Sequence, residues 1–259
     1  MQRWTNELSA TTEHSPSKVP EVTLLFWVIK IAATTLGETG GDAVSMSMDL
    51  GYLAATGIFA VIFLLAVGAQ IVAKRFHPFL YWTTIIATTT LGTTLADFAD
   101  RSLGIGYAGG ASLLFALLIA SLAVWYRTMG SVSVDTVSSP RAETFYWVTI
   151  MFSQTLGTAL GDWTADTAGL GYTGGAVVFS ALLALIVAAY YWTRTSRTAL
   201  FWAAFILTRP LGAVLGDFLD KPISAGGLAL SRYSASAALL LFIVACLVLF
   251  RQRAATRSH

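Results

Sequence analysis

The sequence predicts an all-α, polytopic membrane protein: about eight transmembrane helices built from four two-helix repeats and arranged as two similar halves. Three observations carry that prediction. The first is composition, since 56% of the 259 residues are hydrophobic and only 12% are charged. With a mean hydropathy of +0.68, this is far from a soluble globule, where about a quarter of residues carry charge. The second is the absence of charge from Leu53–Gln70, Ala108–Trp125, Thr173–Trp192 and Ser234–Phe250. Each of these windows is about as long as a bilayer-spanning helix. The third is an internal repeat, best seen in Thr155–Asp166 (TLGTALGDWTAD) and recurring as TLGETGGD, TLGTTLAD and PLGAVLGD. Every copy has a Trp ten residues before its first Gly (Trp27, Trp82, Trp147, Trp202) and an Asp five after it (Asp42, Asp97, Asp162, Asp217). A register kept this strictly marks duplicated units.

Taken in order, residues 1–20 are polar, contain Pro16 and Pro20, and read as a flexible tail without the basic start and apolar core of a signal peptide. Residues 21–126 hold repeats one and two. Span one starts near Val22, span two covers about Tyr52–Val72, span three carries Trp82 to Asp97, and span four covers about Tyr107–Tyr126. Residues 127–142, rich in Ser, Thr and Val, form the linker between halves. Residues 143–250 hold repeats three and four. Span five carries Trp147 to Asp162, span six covers about Tyr172–Trp192, span seven runs to Asp217, and span eight covers about Ser234–Phe250. Residues 251–259 are a basic tail. Cys246 stands alone in the last apolar window, so no disulfide is available.

Orientation follows from the basic residues. Arg3, Lys18, Lys74, Arg75, Arg127, Arg141, Arg194, Arg197, Arg251, Arg253 and Arg257 fall in the tails and the even-to-odd connections. That bias places both termini in the cytoplasm. All four repeats then enter the membrane in the same sense, so their motifs lie at one depth. The Asp follows the Trp by roughly 22 Å along a helix rising 1.5 Å per residue. With the Trp at the cytoplasmic interface, the Asp sits in the outer part of the bilayer.

The motif has a packing reading and a chemical one. Its small-xxx-small pairs (Gly37/Gly41, Gly92/Ala96, Gly157/Gly161, Gly212/Gly216) let helix backbones approach closely in lipid. Its carboxylates are costly at that depth unless they are paired, hydrated or bound to a cation. Four and seven residues before each Asp, on the same helix face, lie Glu38 and Thr35, Thr93 and Thr90, and Thr158 and Thr155. The fourth copy has Ala213 and Pro210 there. We therefore expect Glu38, Asp42, Asp97, Asp162 and Asp217 to ligate a metal, with Thr35, Thr90, Thr93, Thr155 and Thr158 as a supporting polar stripe. Asp49, Asp100, Asp166 and Asp220 either cap the following loops or form an acidic vestibule that concentrates cations. Lys30 and Arg209 are the expected counter-ions, Arg209 pairing with Asp217 or its equivalent in a neighbouring repeat.

Carboxylate and hydroxyl oxygens suit hard or borderline cations such as Mg²⁺, Ca²⁺ and Mn²⁺. No His lies in a span and no Cys pair exists, which disfavours zinc, copper and nickel. Met46, beside Asp42, is either packing or a soft ligand that tilts preference towards Mn²⁺.

The repeated TLG–(G/A)D spans with their preceding Trp resemble a bacterial family of conserved, membrane-anchored proteins with several transmembrane repeats. The resemblance covers about Glu21–Phe250 and implies the eight-span architecture and the inner membrane, without an activity. The E-x-G-D-K/R-S/T signatures of known cation exporters are only analogous, because this chain lacks their basic-hydroxyl ending. The leading functional expectation is a transporter of a divalent metal, foremost Mn²⁺ and outward, with proton exchange at the same carboxylates. A passive cation channel or a carrier of another cation stands beside it, as does a non-transport scaffold or an intramembrane enzyme. The leading reading is not enzymatic and has no permanently bound cofactor. Its partners are lipids, metal ions and protons, with self-association open and no nucleic acid.

Overall fold

A computed structural model of the chain describes residues 17–256. The described residues form eight α-helices: α1 (Leu24–Asp42), α2 (Gly51–Val72), α3 (Pro78–Asp97), α4 (Tyr107–Met129), α5 (Pro140–Asp162), α6 (Gly171–Trp192), α7 (Arg197–Asp220) and α8 (Arg232–Leu249). Local signals set the boundaries. Thr23, Ser139 and Ser196 cap α1, α5 and α7 by accepting the backbone N–H three residues on. Pro78 and Pro140 open α3 and α5, where a missing N–H costs nothing. Repeats one to three each carry Gly-Tyr at the turn into their second helix, and Gly51, Gly106 and Gly171 there all have positive φ, which glycine adopts without strain.

Five helices (α2, α4, α6, α7, α8) are long and apolar enough to cross a membrane, with mean hydropathies from 1.6 to 2.3. The others are more polar because they are enclosed. Helix α1 packs between α3 and α7, and α5 does the same on the far side, closing a ring α1–α3–α5–α7. Outside it, α2 leans on α3, α4 on α5, α6 on α7, and α8 returns to α1. The even-numbered helices present Leu, Ile, Val and Phe outward, including Leu64, Leu65, Phe115, Leu185 and Leu241. The motif helices are therefore inside. The four motif helices close into a ring, because α3–α5 and α7–α1 join across the linker as α1–α3 and α5–α7 join on either side of it.

The glycines explain the ring. Each motif glycine receives the residue three positions before the next repeat's glycine: Gly37 meets Thr89, Gly92 meets Gln154, Gly157 meets Arg209 and Gly212 meets Thr34. A Cβ on Gly92 would stand 3.0 Å from the Gln154 backbone, which cannot yield. Four equivalent seams thus tighten around one axis.

The Trp end is closed. Each motif Trp follows another aromatic residue (Phe26, Tyr81, Tyr146, Phe201), and all but Trp27 are buried. The rings interlock edge-to-face, with Trp125 of α4 joining them, and the Tyr81 and Tyr146 hydroxyls meet at 2.6 Å. Apart from the half-buried Trp27, the motif tryptophans face the protein interior. They build a core plug, since an aromatic pair from each of four converging helices fills the axis. Both ends of the described stretch lie over this plug, where Pro20 bridges Ala254 and Lys18 N–H donates to Val137 O. Lys18 also pairs with buried Glu143 at 2.6 Å and donates to the carbonyls of Gln70 and Ile71. Residues 17–20 are therefore packed rather than a free tail, while residues 1–16 and 257–259 lie outside the described residues. Within 127–142, α4 extends to Met129 and α5 already begins at Pro140.

Candidate cation-binding centre

The repeat register stacks the interior of the ring in layers. Above the aromatic plug come Lys30, Ile85, Ile150 and Phe205, and one turn on Thr34, Thr89, Gln154 and Arg209. Next come Glu38, Thr93, Thr158 and Ala213, and finally the four motif aspartates. All these residues except Ala213, Phe205 and the two Ile are polar, and every one is buried.

Arg209 holds the centre. Its Nη2 donates to Glu38 Oε2 at 3.0 Å, Thr93 Oγ1 at 2.5 Å and Thr158 Oγ1 at 2.5 Å, so one guanidinium ties all four motif helices together. The expected partner was Asp217 or its equivalent in a neighbouring repeat, and the structure corrects this to Glu38. From a position two turns before Asp217, with Gly157 leaving room for its stem, the side chain reaches the Glu38 layer rather than the aspartates. Lys30, the other expected counter-ion, pairs with no carboxylate among the described residues. Its Nζ lies 3.5 Å from Thr208 Oγ1 and 4.2 Å from the Phe205 ring centroid. It sits two layers below the nearest acid.

The aspartates are compensated by cations of their own. Arg101 Nε lies 2.9 Å from Asp97 Oδ1, and its Nη2 lies 3.4 Å from Asp162 Oδ2. Lys221 Nζ lies 2.5 Å from Asp42 Oδ2, 3.0 Å from Asp217 Oδ1 and 4.0 Å from Asp220 Oδ1. Arg232, opening α8, places Nε 2.8 Å from Asp220 Oδ2 and 3.7 Å from Asp42 Oδ2. Lys221 lies just beyond α7. Burial acts to lower its pKa, but Asp217, Asp42 and Asp220 outweigh burial and hold the ammonium well above the usual lysine range.

Arg101, Lys221 and Arg232 escaped the sequence reading, yet a signal for two of them was present. Arg101 and Lys221 each follow a motif Asp by four residues, in repeats two and four. The same position in repeats one and three is Met46 and Asp166. In repeats one to three this stretch is a turn of π-helix (Ala43–Ser47, Phe98–Ser102, Trp163–Thr167), a device that re-aims side chains at functional sites. Each cation then spans from its own repeat's Asp to the next repeat's, Arg101 joining α3 to α5 and Lys221 joining α7 to α1.

The remaining expected residues separate cleanly. Thr93 and Thr158 belong to the centre. Thr35, Thr90 and Thr155 donate back to their own helices, to Ile31 O, Ile86 O and Met151 O. Asp220 is buried in the ion-pair network rather than lying in a vestibule, because α7 continues unbroken to it. Asp49 and Asp166 are exposed and Asp100 is half-buried. Burial pushes the Asp100 carboxyl upward and Arg101 opposes that shift. Met46 is partly buried, next to the motif but in neither of the two acidic groupings described below.

Two sets of three carboxylates bring oxygen atoms within 4.8 Å of one another: Glu38, Asp162 and Asp217, and Asp42, Asp217 and Asp220. Asp217 is common to both. Lys221 Nζ already stands among the second set, where its ammonium takes the position of a bound cation. Six carboxylates (Glu38, Asp42, Asp97, Asp162, Asp217, Asp220) face four cations (Arg101, Arg209, Lys221, Arg232), which leaves a formal charge of −2. One divalent cation or two protons would balance it.

No curated protein and no solved structure matches the chain. The family described as Repeat of Unknown Function (DUF347) matches it four times, at residues 25–76, 80–131, 145–196 and 200–255. These matches coincide with the four units that build the ring, and the chain belongs to this repeat family.

Proposed function

We propose that the chain is a bacterial inner-membrane carrier for a divalent cation, with all eight helices spanning and both termini cytoplasmic. The observation that carries the reading is the convergence of carboxylates from repeats one, three and four into two overlapping oxygen-rich sets that share Asp217. The largely enclosed position of α1, α3 and α5 supports spanning, since helices mostly shielded from lipid need not be apolar throughout. The basic residues at the Trp end, among them Lys74, Arg75, Arg127, Arg194 and Arg251, support its cytoplasmic side.

A carrier fits better than an open pore. Arg209 closes the axis among all four motif helices, and the aromatic plug closes it again below. Exchange is built into the pairing: an incoming cation competes with the Lys221 ammonium for Asp42 and Asp217, and protons are the natural replacement as the cation leaves. Oxygen ligands favour Mn²⁺, Mg²⁺ or Ca²⁺. Mn²⁺ export is the first case to test.

The test is cation flux in proteoliposomes, with Asp162→Asn and Asp217→Asn compared against Asp49→Asn and Asp166→Asn. The first pair is expected to abolish flux in protein that remains folded, and the second to reduce it less than about threefold. Full flux in both Asp162→Asn and Asp217→Asn would remove the carrier reading.

A further inference from the structure

The carboxylate end does not account for the polar layers beneath it. Lys30 is fully buried and has no carboxylate partner among the described residues. Arg209 spends only Nη2 on Glu38, Thr93 and Thr158, while Nε and Nη1 are buried without a partner. Gln154 is 0% exposed and neither its Nε2 nor its Oε1 is hydrogen-bonded, and the Ser153 hydroxyl is buried and unpartnered as well. Register brings these groups together. Gln154 and Arg209 occupy equivalent positions on adjacent helices α5 and α7, and Ser153 and Thr208 sit one residue earlier on the same helices. The Lys30 ammonium rests at the Thr208 hydroxyl. Packing explains why polar side chains are accommodated here, because Gly92 and Gly157 make room for Gln154 and Arg209. It does not explain why their hydrogen-bonding groups go unused, which buried polar groups rarely do.

The unused groups are mostly donors. The ionisable residues around them are Lys30 and Arg209 against Glu38, a formal excess of one positive charge. A metal ion is repelled by such a site, whereas an acceptor carrying one negative charge satisfies it. We infer that the bundle holds a buried binding site for a small monovalent anion, of halide or nitrate size, formed by Lys30, Ser153, Gln154, Thr208 and Arg209. It lies between the carboxylate centre and the aromatic plug. The anion balances Lys30 and supplies acceptors to Arg209 and Gln154. The site adjoins the cation centre through Arg209 but uses none of the motif aspartates, so its occupancy does not require cation transport.

The experiment uses purified full-length protein in detergent with chelator present, so that no metal contributes. Thermal unfolding is followed in sodium gluconate, chloride, bromide and nitrate at constant ionic strength. Gluconate serves as the bulky reference anion, and the small anions are expected to raise Tm by about 3 °C or more at saturation. Gln154→Leu and Lys30→Met should each remove most of that shift, whatever their own Tm in gluconate. Arg197→Gln, at the exposed start of α7, should retain it and so controls for surface anion effects. The inference is overturned if the small anions give the same Tm as gluconate, which is the result for a site holding only water or an uncharged lysine. An equal shift in wild type, Gln154→Leu and Lys30→Met overturns it too, because the effect is then a surface one. Loss of cation flux in the aspartate variants leaves this readout unchanged, so the two proposals fail separately.

Discussion

Replacing Arg209 by Met while Glu38 remains strands a carboxylate among four converging helices, and removes the donor shared by Thr93 and Thr158. Glu38→Gln strands the guanidinium in turn. Both side chains are almost fully buried, at 0% and 3% exposure, so solvent does little to screen the loss. Breaking such a pair from one side costs about 3–5 kcal/mol. Thr93 softens the Arg209 loss slightly, because its hydroxyl is also 3.2 Å from Gly37 O and can turn to it. The double variant leaves neither charge uncompensated. We expect each single change to cost about 3–5 kcal/mol and the double no more than the worse single, a coupling of about 3 kcal/mol. On a domain scale of about 2–4 °C per kcal/mol, each single change lowers Tm by about 6–20 °C. The assay is unfolding in detergent, read by fluorescence of the buried Trp82, Trp147 and Trp202. Additive losses, with coupling under about 0.5 kcal/mol, would refute the argument that this pair organises the centre.

Lys221→Gln frees Asp42 and Asp217 from their internal cation. Metal affinity in equilibrium binding should rise at least about tenfold, the equivalent of about 1.4 kcal/mol, and turnover should fall; unchanged affinity would show that the ammonium does not compete. Tyr81→Phe or Tyr146→Phe orphans a buried hydroxyl at about 1–3 kcal/mol, whereas the double change should be nearly neutral, measured by the same unfolding assay. Gly92→Ala forces a methyl against the Gln154 backbone and should cost about 1–3 kcal/mol. Gly57→Ala on α2 meets nothing within 4 Å and should match or slightly exceed wild-type stability. Equal losses at the two glycines would remove the close-packed ring from the explanation.

Much of the centre was legible because duplication writes geometry into spacing. An Asp at a constant distance from a Trp in four tandem units implies a common depth, and an inward helical face implies convergence. Glu38, Thr93 and Thr158 were visible as members of that face, and the glycine pairs as its packing device. Thr35, Thr90 and Thr155 shared the pattern but not the role, because a threonine hydroxyl in a helix can satisfy itself on the preceding turn. The aromatic residue before each Trp was equally regular. Its meaning depended on the ring, where four such pairs meet and become a plug.

The sequence by itself determined a helical, membrane-class chain, four repeats, the inward motif helices and the acids they carry. Those properties follow from composition and periodicity, which act along one chain segment at a time. The tertiary structure alone decided how charges pair. Arg209 went to Glu38 and not to Asp217, Lys30 took no acid, and Arg101, Lys221 and Arg232 arrived from turns and a helix start that showed no pattern shared by all four repeats. Ion pairing depends on which side chains reach one another across helices over a few ångströms, with energies that change steeply over that range. A π-turn after the motif Asp, or a glycine on the neighbouring helix, moves a charged group by that much, and spacing along a single chain does not register the movement.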